Sequence, residues 1–575
     1  MGRTHYRRVP ILLLLVLVTG CCKIVPCLCP KPPTPPPCAK PTVDVDRSLV
    51  VHDLAGLATP FALQKTLQRI IDTSGGTPTT PEDLLKTMLD SFNAMTFQNP
   101  TSGKTVPVDQ RPAEASQSAA QLLDPTQPTS MVPVGLFNRL DAAPDDGSNC
   151  GEYRIVYAKK PGAGRFFMIF ESKLPNPTPS SGLAGCQPVA KFWADLTNDP
   201  NPTSRIAALE TFYYQGLSGS SFGPVVTFAN YGLPFGQVRT NFLVGFPWML
   251  REHRTGIDTG TGRAILVADT VKDNPLVELY RVPASLPSGF TPADQTAFRQ
   301  HFLGQPTCNL LRPDRVNSAA TQFDVVNGIG AGFADDWNEF QSVSDDSDDP
   351  ASTNPPHPVD PALVTDITAR LAALSTTTVS PDQLLNRAGA MSCGGCHQFS
   401  NGRQLNSAGH AWPSSLGFVH IDESANLSQT LTAFFLPRRK QILERFVCDP
   451  TAEPKPAAPC PGGGGSGGGG YGGGGTPQPA GGAPPPPSQG PSGVDAPLAA
   501  TLRKGRTLPS LVKVDDARFA LQAAIRRSTT VPKAEQAAAR RQVAVRAAAL
   551  KAAVLAARTE ESRTPGAFTA TRRTH

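Results

Sequence analysis

From Pro461 to Pro491 the chain is Gly-rich and then Pro-rich, with almost no apolar side chain. Such a stretch cannot bury enough surface to offset the entropy of ordering it, so 450–500 is expected to be a disordered linker. It cuts the foldable chain down to roughly four hundred residues, 44–449, enough for two cores. Beyond it, residues 501–575 hold sixteen Lys and Arg against five Asp and Glu, whereas the whole chain carries only +6. Lys533 to Glu561 is Ala-rich and sets Val543, Ala547, Leu550 and Val554 on one helical face. The tail therefore reads as a basic, weakly amphipathic helix on a leash. It is either simply solvated or placed to meet an anionic surface of the cell envelope.

The other end reads as an export signal. Arg3, Arg7 and Arg8 precede a short apolar run, Ile11 to Val18, and Val18-Thr19-Gly20-Cys21 has the form of a bacterial lipobox. The run is too short to span a bilayer. Residues 1–20 are thus expected to be a lipoprotein signal peptide, with Cys21 lipidated and 21–43 a Pro- and Cys-rich tether. Cys22, rather than Asp, follows the lipidated position, which favours the outer membrane facing the periplasm. A signal peptide cut without lipid is the competing reading. Nucleic acid is not an expected partner for an exported protein.

Between the two ends the apolar spacing changes character. Phe61 to Ile71 and Pro81 to Met95 repeat at three and four residues, and Thr79-Thr80-Pro81-Glu82-Asp83 is a helix start, so 44–130 is expected to be helical. Gly151 to Ala158 and Arg165 to Glu171 read as strands joined by a Lys159–Gly164 turn. Pro224 to Ala229, Gln237 to Val244, Arg263 to Val271 and Leu276 to Val282 follow as strand candidates. Helix candidates lie at Val189 to Asp195, Ile206 to Tyr214 and Pro292 to Phe302. These make 131–310 a mixed α+β domain, in which Cys150 and Cys186 bracket the hairpin and suit a disulfide. An acidic connecting segment, 311–359, leads to a helical lobe at 360–449. There Pro361 to Ala373, a helix capped at Ser380-Pro381-Asp382 and Leu427 to Phe446 are the elements, the last bent or broken at Pro437. Cys308 and Cys448 are a further candidate pair. The fold class expected is α+β: a β-rich domain plus a small cytochrome c-like lobe.

The chemistry concentrates in Cys393-Gly394-Gly395-Cys396-His397. Two thiols at this spacing take up the two vinyl groups of one haem as thioethers, and the adjacent imidazole is placed to ligate the iron. A CxxC disulfide or redox dithiol is the alternative. Half of a zinc site is weaker, because no second CxxC or HxxxH pair lies nearby. One haem c per chain is the expected cofactor. All seven Met precede His397, so a downstream Met ligand is absent. His420 is the first candidate for the opposite face of the iron, and His410 the second; an upstream ligand or an open position completes the choices.

Other patterns carry less. Gly219-Ser220-Ser221-Phe222-Gly223 matches a nucleophile elbow, but Pro224 and a strand-like run follow it where a helix is required. Asp345-Asp346-Ser347-Asp348-Asp349 lacks the Gly turn and closing Glu of a calcium loop. Asn138-Arg139-Leu140-Asp141, with Asp145, Asp146, Asn149, Glu152 and Arg154, reads as a buried ion-pair network ahead of a calcium or substrate site.

The segments Asn138–Asp141, Cys150–Val156 and Met391–Gln398 make the chain resemble a group of large exported lipoproteins of Gram-negative bacteria with one cytochrome c type haem motif late in the sequence. The resemblance covers most of 45–448 and implies a role for Cys393, Cys396 and His397 alone, that of haem ligation. It supplies no reaction. The expected function is electron transfer or redox sensing with an unidentified redox partner at the envelope. The alternatives are a monohaem peroxidase or oxygenase with an open distal site, and a non-haem envelope binding protein with a CxxC disulfide.

Overall fold

The computed structural model describes residues 41–450, except for short stretches near 101, 162, 246, 276–288 and 317 and all but four residues of 330–358. It also describes scattered positions between 537 and 552, which are helical and exposed. Cys21, the linker and most of the basic tail lie outside the described residues.

The fold is α+β, built on a mostly sequential antiparallel sheet. Its strands are β1 (Val50–Val51), β2 (Met131–Arg139), β3 (Asn149–Lys159), β4 (Arg165–Pro175), β5 (Gly236–Leu243), β6 (Met249–Ile257), β7 (Ala264–Asp269) and β8 (Ser344–Asp345). They pair in the order β1-β2-β3-β4-β5-β6, and β6 then pairs with β8 at its start and with β7 along the rest. Short connections join β2 to β3, β3 to β4, β5 to β6 and β6 to β7, whereas the long connections from β1 to β2 and from β4 to β5 carry helices. The β3–β4 hairpin has the expected turn, with Tyr157 opposite Met168. Pro224 to Ala229, expected as a strand, is irregular instead. There Asn230 Nδ2 bonds the carbonyls of Pro224 and Val225, and Val226 N–H bonds Tyr213 O, so backbone groups are satisfied without a ladder.

Alternation along the strands gives the sheet two unlike faces. One carries Tyr153, Ile155, Tyr157, Phe170 and Phe242 and is covered by helices α1 (Leu63–Asp72), α2 (Pro81–Ser91), α3 (Gln187–Asp195) and α4 (Pro202–Tyr214). Helix α2 starts as its sequence predicts, with Thr80 Oγ1 accepting from Asp83 N–H and Pro81 in the first turn. Thr66 Oγ1 meets both Tyr157 OH at 2.6 Å and Tyr214 OH at 2.7 Å, and Tyr153 stacks on Trp193. Cys150 and Cys186 form the expected disulfide, which fastens β3 to the start of α3. Cys308 and Cys448 are each disulfide-bonded too, but a bond between them is not seen among the described residues.

A second core is mainly helical, built by α5 (Pro292–Leu303), α6 (Gln305–Val316), α7 (Gln322–Ile329), α8 (Pro361–Ala373) and α9 (Pro381–Met391), with Val106, Leu405 and Trp412 joining from outside them. Phe298, Phe302, Leu310, Leu311, Val325 and Ile329 pack in one cluster with Leu363, Ile367, Leu371 and Leu384. The helical body therefore begins near residue 290, and the segment expected to be an acidic connector supplies α7 and the end of α6. Their apolar stripes are short, and the acidic run after them dominates the composition.

After α9 the chain leaves this core and returns to the sheet. A wide turn over Gly395–Phe399, a loop, a second wide turn over Thr430–Phe435 and α10 (Leu436–Cys448) follow. The helical backbone passes from the second wide turn into α10 without a non-helical residue, so the expected helix is present and its irregularity ends at Pro437, whose ring cannot donate to the preceding turn. Val419, Ile421, Leu431, Leu443 and Phe446 join the main core. Val43 N–H donates to Glu444 Oε1, across 401 residues of sequence. Residues 393–439 thus roof the second face of the sheet.

Candidate functional site

The motif is set by the end of α9. Ser380 and Gln383 form a reciprocal cap at its start, and Ser392 ends it with extended backbone angles. Ser392 Oγ then accepts from Gly395 N–H at 3.0 Å and donates to Gly389 O at 2.8 Å, closing the turn that carries Cys396 and His397. A Cβ on Gly395 would stand 1.8 Å from Gly389 O, so this middle position of the motif accepts only glycine. Neither Cys393 nor Cys396 is in a disulfide.

The two imidazoles expected at the site are brought together. The rings of His397 and His420 lie 4.9 Å apart, centre to centre. His397 Nδ1 is 2.9 Å from Phe418 O. A carbonyl only accepts, so Nδ1 holds the proton of the neutral ring and Nε2 keeps its lone pair. Burial supports the neutral form, pushing His397 down to about 4 against the raising effect of that carbonyl bond. His420 is pushed well below its ordinary value by burial and by His397. Its Nδ1 meets Ser428 Oγ at 3.0 Å and its Nε2 meets Cys396 Sγ at 3.4 Å. Burial pushes the Cys396 thiol up to about 12, despite Arg439 and Arg139. His410 takes no part; its Nδ1 meets Asn406 on a loop outside the cavity.

Sheet residues that sequence reasoning missed hold this arrangement in place. Asn241 Nδ2 also donates to Phe418 O, at 2.8 Å, and Trp248 Nε1 donates to Asn241 Oδ1 at 2.6 Å. Trp248 stacks on Phe418 and lies 5.5 Å from the His397 ring. Phe418 has φ +62°, a left-handed conformation costly for an aromatic residue, and its carbonyl accepts from both His397 and Asn241. Arg165 fastens the same loop by donating to Glu423 and to the carbonyls of Leu416 and Gly417. The sequence signal was present: Gln237, Arg239 and Asn241 place polar side chains at every second position of β5.

These residues surround a cavity of about 290 Å³ between the second sheet face and the roof. Cys393, Cys396, His397 and His420 line one part of it, and Arg139, Arg154, Arg239 and Arg439 another. The ion-pair network expected around Arg139 and Arg154 is present and runs further than expected. Arg139 pairs with Asp141, Arg154 with Glu152 and Glu171, Arg239 with Glu171 and Glu252, and Arg254 with Glu252 and Asp269. Asp146 instead caps Ser148 N–H in an exposed turn. Burial and the neighbouring Arg139 push Arg439 down to about 9, against the pull of Asp141.

Comparison with known proteins assigns no family. No family model, curated protein or solved structure matches the chain. The site must be judged by its own chemistry. Among the described residues, no three or more His, Cys, Asp or Glu side chains are grouped to hold a bare metal ion. Ser220 and Ser221 lie on a loop with no strand before them, which removes the elbow geometry. No helix among the described residues is long and apolar enough to cross a membrane.

Proposed function

We propose that this is a cell-envelope c-type haem protein that transfers electrons, or senses redox state, through one covalently held haem. The observation that carries the reading is the meeting of both imidazoles and both motif thiols in one cavity. Cys393 and Cys396 would form the thioethers and His397 would ligate the iron, while His420, whose ring centre lies 4.9 Å from that of His397, would have to move outward to ligate it as well. The residues present fit the group. His397 offers Nε2 with its tautomer fixed by Phe418 O, and the apolar lining of Phe137, Val156, Ile169 and Leu431 suits a porphyrin face. A thiol pushed up to about 12 makes a poor thiolate, which weighs against a working dithiol. Bound haem supplies a one-electron iron couple whose potential is set by its axial ligands and their surroundings. The chain's own part is to fix both imidazoles, exclude water and tune charge through the arginine network.

Placement in the envelope is supported by the basic and apolar N-terminus with its lipobox and by the Cys150–Cys186 disulfide, which suits an oxidising compartment. Lipid at Cys21 would hold the protein to the outer membrane, and the basic tail would meet an anionic surface or an acidic redox partner. The test is export with the c-type maturation machinery, followed by a haem stain on a denaturing gel. The expected result is colour that survives denaturation, with a low-spin spectrum that becomes high-spin in His420→Ala. An exported, folded and colourless protein would overturn the proposal.

A further inference from the structure

We infer that Arg139, Arg239 and Arg439 form a carboxylate-binding wall of this cavity; resting on the haem reading, its ligand is the haem's pair of propionate groups. Four of the charged side chains lining the cavity are Arg, and Glu171 alone is acidic. The carboxylates of the network offset guanidinium charge, but they do not use up the donors. Arg154 is committed, giving Nε and Nη2 to Glu152 and Nη1 to Glu171. The other three engage carboxylates through Nε: Arg139 on Asp141, Arg239 on Glu252 and Glu171, and Arg439 toward Asp141 at 3.5 Å. Their terminal nitrogens make no hydrogen bond among the described residues. A guanidinium is built to grip a carboxylate with two parallel N–H bonds, and Nε alone uses part of that fork.

Burial sharpens the demand. Arg439 is 9% exposed and shares Asp141 with Arg139, so two cations divide one carboxylate. The wall also faces the motif. Arg439 and Arg139 act electrostatically on Cys396, and Arg239 acts on His397, so the wall lies within charge range of the motif, and the propionates would leave the ring on the edge away from the thioethers. Two carboxylates carried on one rigid ring would meet three guanidiniums fixed on β2, β5 and α10. A free dicarboxylate shares that chemistry and is the second source the test separates.

The experiment uses the full-length exported protein with Arg439→Gln, Arg139→Gln and Arg439→Lys, first stained for haem and then titrated spectroelectrochemically. Removing a cation beside the haem favours the ferric form. Each Gln variant should raise the oxidised-to-reduced ratio at fixed potential about tenfold, about 59 mV for a one-electron couple, and Arg439→Lys should recover most of it. Haem stain retained, melting unchanged and ratios within twofold of wild type would overturn the wall and leave the haem reading intact. Should Arg439→Gln fail to fold, Arg239→Gln serves the same comparison. A wild-type protein without stain would sink the haem reading instead. The wall is then judged by thermal shift in succinate against chloride of equal ionic strength. Succinate-specific stabilisation lost in Arg139→Gln would keep it as a site for a free dicarboxylate, and equal melting in both salts would remove it.

Discussion

Replacing Asn241 by Leu tests whether the sheet holds the motif histidine through a chain of hydrogen bonds. Asn241 is 1% exposed, and Leu keeps its branched skeleton but is bulkier, an overpacking term common to the single and double Leu variants that their comparison removes. What remains is bonding. Phe418 O keeps its bond from His397, but the Trp248 indole N–H loses its 2.6 Å acceptor in a fully buried position. A buried donor left alone costs about 1–3 kcal/mol, so the variant should lose about 2 kcal/mol. Trp248→Phe strands Asn241 Oδ1 instead and should cost a similar amount plus lost packing. The double variant strands neither group. Its loss should fall short of the sum of the two by about 1–2 kcal/mol, measured by urea denaturation followed by circular dichroism. Additivity within about 0.5 kcal/mol would refute the reasoning, because it would mean that the indole and the amide are not energetically coupled.

Gly395→Ala should abolish covalent haem on a stained gel, since its Cβ would overlap Gly389 O at the centre of the motif turn. Removing the Cys150–Cys186 bond as a double Ala variant frees a loop of 36 residues in the unfolded chain and should cost about 4 kcal/mol, read as a shift in the urea midpoint. His253 is buried beside Arg251, and burial, then that cation, push it down to about 3. The unfolded chain binds the extra proton below its usual value near 6.5, so stability is full above that pH and declines as pH falls toward 3. The slope is up to about 1.4 kcal/mol per pH unit, and His253→Gln should flatten it in acid-denaturation curves.

How much of this was legible follows from the range of each interaction. The hairpin of β3 and β4, the capped start of α2 and the pairing of Cys150 with Cys186 rest on local patterns, which one sequence displays. His420 was legible as well, because its distance from His397 permits a loop to fold back. Trp248, Asn241 and Arg439 were not. They meet the motif only because β5, β6 and α10 converge on it from positions far apart in the chain, and nothing local in them names a partner. The β2 strand was missed because its face toward the cavity carries Arg139 beside Phe137, which blurs the alternation. Arg139 and Arg154 were seen as members of a network, but which way the remaining donors of Arg139 face depends on the roof.

The bond from Val43 N–H to Glu444 Oε1 carries a consequence for biogenesis. The roof that carries Cys396 is fastened to a residue made 401 positions earlier, so it closes only after nearly the whole described region has been synthesised. Contacts this distant in sequence form slowly, which leaves an interval in which the motif is open. If the chain takes up haem as proposed, attachment would be a race against the chain's own closure. A molecule that shuts first would be a dead-end product, its half-buried thiols slower with maleimide than in denaturant, and the yield of coloured protein would record who wins.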